Sequence, residues 1–258
     1  MTRISLSGKV VLVVGASTGI GRRFAERAAE ADATVAITAR RRALLNEIAA
    51  EQTGRGRRCS AHPADATNAT AAQQVVDEVI ELHGRIDLVL LNAGGAPALD
   101  LTALAAPDIT GYMRTNYDVA VNYLVPVLRH MRERGSGIVA HTNSLAGWYG
   151  IPLQGPYSAA KAALRVLFDT YRIEYAKSGI RFVSIYPGFV RTESTVGDGM
   201  AAPGEIDEVA AAAHMIRAVV TGRESYSFPW STAALVGFGR VIPVRARNAI
   251  LGRMPRGE

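Results

Sequence analysis

Cysteine and lysine are the scarcest reactive residues in this sequence. Cys59 is the single cysteine, so no intrachain disulfide can form and no cysteine cluster can hold zinc or an iron–sulfur centre. A lone thiol fits a reducing, cytoplasmic setting. Only Lys9, Lys161 and Lys177 carry a side-chain amine, so arginine supplies most of the 29 basic residues behind the net charge of +6. A lysine at a mechanistically useful position therefore stands out. The arginines are spread along the chain, with no lysine- or aromatic-interleaved block, and nucleic-acid binding is not expected. No apolar run approaches the ~20 residues of a membrane-spanning helix. The run Val10–Val14 near the N-terminus is too short for the apolar centre of a signal peptide, so no cleaved leader is expected. The sequence shows no linker, repeat or low-complexity stretch. Over 258 residues, an apolar fraction of 48% and a charged fraction of 20% exclude a disordered, coiled-coil or collagen-like chain.

What is present is alternation. Short β-branched runs are expected as strands at Lys9–Val14, Thr34–Thr38, Arg58–His62, Asp87–Leu91, Gly137–Thr142, Arg181–Tyr186 and Tyr226–Pro229. Between them, helical spacing covers Gly19–Ala31, Arg41–Gln52, Asn68–His83, a long region from Pro107 to Arg134, Tyr157–Lys177 and Glu205–Val220. Strand–helix alternation implies parallel βαβ units with right-handed crossovers. The expected fold is α/β: a single-domain, Rossmann-like, doubly wound parallel sheet of about seven strands flanked by helices. Ligands of such sheets bind at the carboxyl edge, where strand order reverses. The region 190–204 has little periodicity and is expected to be a substrate loop.

The first strand runs into Gly15-Ala16-Ser17-Thr18-Gly19-Ile20-Gly21 and then a helix. Glycines there let the backbone approach a pyrophosphate, whose charge sits at the helix N-terminus. In a dinucleotide fold, an acidic residue at the tip of strand two would hold the ribose 2′-hydroxyl. The strand ends instead in Thr38-Ala39-Arg40-Arg41-Arg42. A guanidinium at Arg40 would bind a 2′-phosphate with a charge-assisted fork, which favours NADP(H) and leaves NAD(H) possible. Arg41 and Arg42 read as a solvated helix start.

Tyr157 and Lys161 are spaced i, i+4 and so share a helix face. A lysine cation ~4 Å from a tyrosine, at an effective dielectric of ~20, would lower the phenol pKa by roughly three units, towards the range useful for proton transfer. Ser144 lies thirteen residues before Tyr157, just past a predicted strand.

With these residues the sequence resembles the short-chain dehydrogenase/reductase family over about residues 6–195. Gly15, Gly19 and Gly21 look like its cofactor turn. Asp65 matches its adenine-contacting aspartate, and Asn92-Ala93-Gly94 its N-A-G motif. Asn116, Ser144, Tyr157 and Lys161 match its catalytic tetrad. Pro187-Gly188 matches its turn after strand six, with Thr192 just beyond. The resemblance implies further cofactor contacts from Ser17, Thr18 and Ile20, from Ala66 beside Asp65, and from Val190. It also implies roles. Tyr157 acts as general acid in reduction and base in oxidation, Lys161 lowers its pKa and bonds the nicotinamide ribose, Ser144 donates to the substrate oxygen, and Asn116 positions a water.

The expected reaction is hydride transfer between NADP(H) and a secondary alcohol or ketone. Trp148, Tyr149, Leu153 and Phe189, together with Ser144 and Tyr157, are expected around a hydrophobic substrate. A non-catalytic NADP-binding regulator on the same fold is the alternative, and the complete tetrad speaks against it. The segment 225–258 carries Arg240, Arg245, Arg247, Arg253 and Arg256 among many apolar residues, with Pro229 and Pro243 breaking it into short pieces. It is expected to close the substrate pocket or to make a homo-oligomer contact, with membrane association the least favoured reading. The five histidines have no partner at metal-ligand spacing, so no metal is expected.

Overall fold

β-branched and leucine residues dominate the central strands of the set Val10–Val14 (β1), Thr34–Thr38 (β2), Cys59–Ala61 (β3), Leu88–Leu91 (β4), Gly137–Thr142 (β5), Ile180–Pro187 (β6), Val190–Arg191 (β7), Ile206–Asp207 (β8) and Ser225–Phe228 (β9). The structure is a computed structural model and describes residues 3–97, 99, 101–193 and 204–253. Seven strands form one sheet in the order β3-β2-β1-β4-β5-β6-β9, and β7 pairs with β8 beside it. Every pairing in the large sheet is parallel. The chain steps outward from β1 to β3, then returns to lay β4 against the other edge of β1. That reversal opens a crevice at the carboxyl ends of β1 and β4.

Helices cover both faces, which is why the strands read as continuous apolar runs. Val11 and Val13 of β1 and Leu88 and Leu90 of β4 face one layer. It contains Phe24 of Gly19–Glu30 (α1), Leu45 and Ile48 of Arg42–Gly54 (α2), and Met215 and Val219 of the helix Glu208–Val220. Val10, Leu12 and Val14 alternate to the other layer. There they meet Val75 and Val79 of Ala69–His83 (α3), Tyr123 and Val127 of the helix Val119–Arg134, and Leu164 and Phe168 of the helix Gly155–Glu174. Local chemistry sets several ends: Asn68 caps α3 by accepting from Ala71 N, and Gly84 closes it in the left-handed conformation.

The region from Pro107 to Arg134, expected as one long helix, is three pieces. Ala106–Met113 (α4) runs into a π-helical turn, Arg114–Asp118, and then into Val119–Arg134 (α5). The wider turn lies at Asn116, which is buried. Gly155–Glu174 (α6) starts two residues earlier than expected, and Glu208–Val220 (α7) three residues later than expected. The C-terminal segment forms two helices, Trp230–Val241 (α8) and Val244–Leu251 (α9). Pro229 and Pro243 do not merely interrupt it. Each stands at a helix start, where its missing N–H has no helical partner to lose. Among the described residues no helix is long and apolar enough to cross a membrane.

Candidate active site

The crevice at the carboxyl edge is a cavity of about 1040 Å³. Its first wall is the glycine turn. Gly15 has φ +86°, and a Cβ there would lie 2.7 Å from the backbone N and Cα of Ala93, at the end of β4. At Gly21 a Cβ would run into the Gly15 carbonyl and lie 2.6 Å from the Asn92 Nδ2. The turn is therefore packed backbone to backbone against the Asn92-Ala93-Gly94 stretch, and only glycine allows it. Asn92 pins the arrangement: its Nδ2 donates to the Gly15 carbonyl at 3.1 Å, and its Oδ1 accepts from the Thr142 hydroxyl at 2.8 Å.

The second wall comes from β2 and the loop after β3. Arg40 and Asp65 both line the cavity. Asp65 accepts from the Thr67 N–H at 2.9 Å and its hydroxyl at 2.8 Å, and Arg40 lies near enough for its charge to help hold the carboxyl below its usual range. Arg41 is the exposed start of α2 expected of it, and it also makes contacts of its own. It reaches across to the glycine turn, donating to the Thr18 hydroxyl at 2.7 Å and to the Ser17 hydroxyl at 3.1 Å. Three successive arginines hid which of them turns inward. The hydroxyls at positions 17 and 18 were the available signal.

The third wall carries the tetrad. Ser144 follows β5, Tyr157 and Lys161 lie on the first turns of α6, and Asn116 lies in the π-helical turn. Lys161 is 4% exposed, and its Nζ donates to the Thr142 carbonyl at 2.8 Å. The ammonium is 5.6 Å from the centre of the Tyr157 ring. Ser144 hydrogen-bonds the Tyr157 phenol. Asn116 Oδ1 accepts from Gly95 N at 3.0 Å, and a Cβ on Gly94, whose φ is +147°, would lie 2.7 Å from the same oxygen and 3.7 Å from the lysine Nζ. Asn116, Gly94 and Lys161 are thus neighbours.

The electrostatics differ from the expectation. Burial pushes the Tyr157 phenol up to about 12, against the opposing bond from Ser144, and pushes Lys161 down to about 8. Attraction between a phenolate and an ammonium would lower the phenol, but burial desolvates both charged forms. In this site desolvation wins, so Tyr157 is a protonated donor at neutral pH.

Asn143 was missed. It is buried beside Ser144, accepting from the Ser144 N–H at 2.8 Å and donating to the Lys161 carbonyl at 3.0 Å. One side chain thereby ties the serine loop to the tyrosine–lysine helix. The sequence signal was a polar residue at the end of an apolar strand.

At the substrate end, Phe189 lines the cavity as expected, with Leu145, Ile151, Thr232 and Val236. Trp148, Tyr149 and Leu153 are not among the lining residues. The Trp148 ring stacks on Tyr186 at 5.4 Å and carries the guanidinium of Arg240 at 3.7 Å and that of Arg165 at 4.6 Å. Tyr149 carries Arg247 at 4.8 Å, and Leu153 adopts φ +63°, its carbonyl accepting from Leu99 N. These aromatics anchor α8 and α9 instead, and α8 contributes Thr232 and Val236 to the cavity. Gly188, Val190 and Thr192 line the same end. Of the expected substrate loop, 194–203 lies outside the described residues.

Comparison with known proteins agrees with this geometry. The sequence model of the short chain dehydrogenases matches residues 9–199. An uncharacterized oxidoreductase of Myxococcus xanthus is 31% identical over 92% of this chain and 94% of its own length. An 11-beta-hydroxysteroid dehydrogenase 1A of Arabidopsis thaliana is 34% identical over 78% of this chain but only 58% of its own length. Among solved structures, a short-chain dehydrogenase from Streptomyces avermitilis superposes with a TM-score of 0.83 at 27% identity, over 96% of this chain and 97% of its own. A short chain dehydrogenase/reductase from Burkholderia phymatum, in complex with NAD, has a TM-score of 0.84 at 21% identity, over 98% of both chains. The chain belongs to the short-chain dehydrogenase family of oxidoreductases.

Proposed function

We propose that this oxidoreductase reduces a hydrophobic ketone to a secondary alcohol with NADPH. The observation that carries the reading is the convergence of Ser144, Tyr157 and Lys161 on one cavity that also holds the glycine turn and Arg40. The glycine turn fits a dinucleotide, because it is a backbone wall of the cavity at a helix start, and a Cβ at Gly15 or Gly21 would force it off the Asn92–Gly94 stretch that shapes it. When bound, the nicotinamide supplies the hydride. The chain's own residues handle the proton. Tyr157, protonated well above neutral pH, donates from its hydroxyl to the substrate oxygen, and Ser144 donates a second hydrogen bond that stabilises charge there. Lys161, held by the Thr142 carbonyl, keeps a positive charge beneath the site.

Arg40 and Arg41 would together face a 2′-phosphate, Arg41 braced on Ser17 and Thr18. Phe189, Leu145, Ile151 and Val236 support an apolar substrate. A cytoplasmic homo-oligomer is consistent with the single thiol and with Val166 and Ile173, exposed seven residues apart on α6.

The test is NADPH consumption with a panel of aryl and alkyl ketones. Turnover should occur, Tyr157→Phe should lower it by about 10²–10⁴-fold while NADPH still binds, and Arg40→Asp should shift the kcat/KM ratio towards NADH. A protein that binds NADPH but turns over no ketone would be a regulator on the same fold.

A further inference from the structure

The two C-terminal helices have apolar side chains that nothing among the described residues covers. Thirteen large apolar side chains are exposed among the described residues, and six of them fall between positions 230 and 250. On α8 they are Trp230, 82% exposed, with Leu235, Phe238 and Val241. These sit at helical spacing opposite Thr232, Val236 and Gly239, which face the cavity or the core. On α9 they are Val244 and Ile250. From Ser225 to Arg253 the charged residues are Arg240, Arg245, Arg247 and Arg253, and none is acidic. Arg240 and Arg247 turn inward onto Trp148 and Tyr149, which sets the inner side of both helices. Arg245 and Arg253 are exposed.

A large apolar face edged by guanidinium groups has to be covered by something. A second copy, packed about a two-fold axis, would bring the same arginines together, and residues 225–253 supply no carboxylate to meet them. An anionic bilayer surface complements both features: phosphates meet the arginines, and the headgroup–acyl boundary takes the aromatic and aliphatic side chains. The helices are too short to span, so the contact lies in the plane of the surface. We propose that α8 and α9 dock this protein on an anionic phospholipid surface, with Trp230, Leu235, Phe238 and Val241 inserted and Arg245 and Arg253 on lipid phosphates. Through Thr232 and Val236 the docked helix is also a wall of the cavity.

The experiment is co-flotation of the full-length protein with vesicles of phosphatidylcholine alone and of phosphatidylcholine mixed with phosphatidylglycerol. Binding to the mixed vesicles should exceed binding to the neutral ones by about tenfold or more and fall as salt rises. Arg245→Glu with Arg253→Glu should abolish that preference. Leu235→Ser with Phe238→Ser should weaken binding to both vesicle types. Both variants should keep the wild-type Tm and NADPH affinity, which separates lost docking from lost folding. Failure of the wild type to float with anionic vesicles overturns the proposal. So does light scattering in which Leu235→Ser with Phe238→Ser splits an oligomer into smaller species, because the face would then belong to a second copy.

Discussion

The informative residues are those whose chemistry is at odds with their surroundings. A cation at Lys161 is buried and shifted down to about 8. Its unfolded value is near 10.5, so between about pH 8 and pH 10.5 the unfolded chain holds a proton that the folded one has released. Stability therefore rises with pH across that window. Below it the cost of burying the cation is present in full. Tyr157 acts in the opposite sense only above pH 10, where the unfolded phenol ionises and the folded one does not. Replacing Lys161 with Met should remove the alkaline gain along with catalysis. In thermal melts at about pH 7.5 and about pH 9.5, the Tm of the wild type relative to Lys161→Met should increase with pH. A difference that stays flat would mean that Lys161 titrates normally. Ser144, Tyr157 and Lys161 could be placed from the sequence, since the serine follows a strong strand pattern and the other two share a strong helix, whereas Asn116 was placed only by the family resemblance. Their ionisation could not, because desolvation depends on how the chain packs around them. Asn143 and Arg41 escaped for a related reason. Each bonds a group distant in sequence, Asn143 the Lys161 carbonyl and Arg41 the hydroxyls of Ser17 and Thr18.

At the level of elements, the central strands β1, β2 and β4 were legible as apolar runs, because burial on both faces leaves little room for polar positions, whereas the edge strands β3 and β9 are short and partly polar. The helices were legible wherever one apolar stripe met one layer. Two features were not. The π-helical turn at 114–118 interrupts helical spacing without changing composition. The helices α8 and α9 expose much of their apolar surface, so their sequence lacks the usual contrast between faces. Glycine use separates the elements further. Gly15→Ala places a Cβ against the Ala93 backbone at a left-handed φ and should cost at least about 2 kcal/mol. Gly111 lies inside α4, where a Cβ would meet nothing within 4 Å. Gly111→Ala should stabilise by about 0.5–1 kcal/mol through helix propensity. Urea denaturation of both variants checks the pair, and opposite signs are expected.

Across the whole molecule, the C-terminal helices are joined to the body by cations on aromatic faces. Arg240 lies 3.7 Å from the Trp148 ring centre, and Arg247 lies 4.8 Å from that of Tyr149. Both rings belong to the connection between Ser144 and Tyr157. The clamp therefore links the segment between Ser144 and Tyr157 to the helix that lends Thr232 and Val236 to the cavity. A double-mutant cycle of Arg240→Ala and Trp148→Leu should return a coupling of about 0.5–2 kcal/mol. Additive losses would show that the contact carries no energy of its own.

The scarcity of lysine has one more consequence once its geometry is known. Lys161 is enclosed beneath the cavity, so amine-directed reagents can reach only Lys9 and Lys177 among the side chains. Lys9 precedes β1 and Lys177 precedes β6, so both lie at the amino edge of the sheet. Tyr157 sits at the opposite edge, with α6 running roughly 25 Å between it and the vicinity of Lys177. Coupling through these amines would hold the protein on a solid support with its cavity facing solution, an orientation that usually has to be engineered.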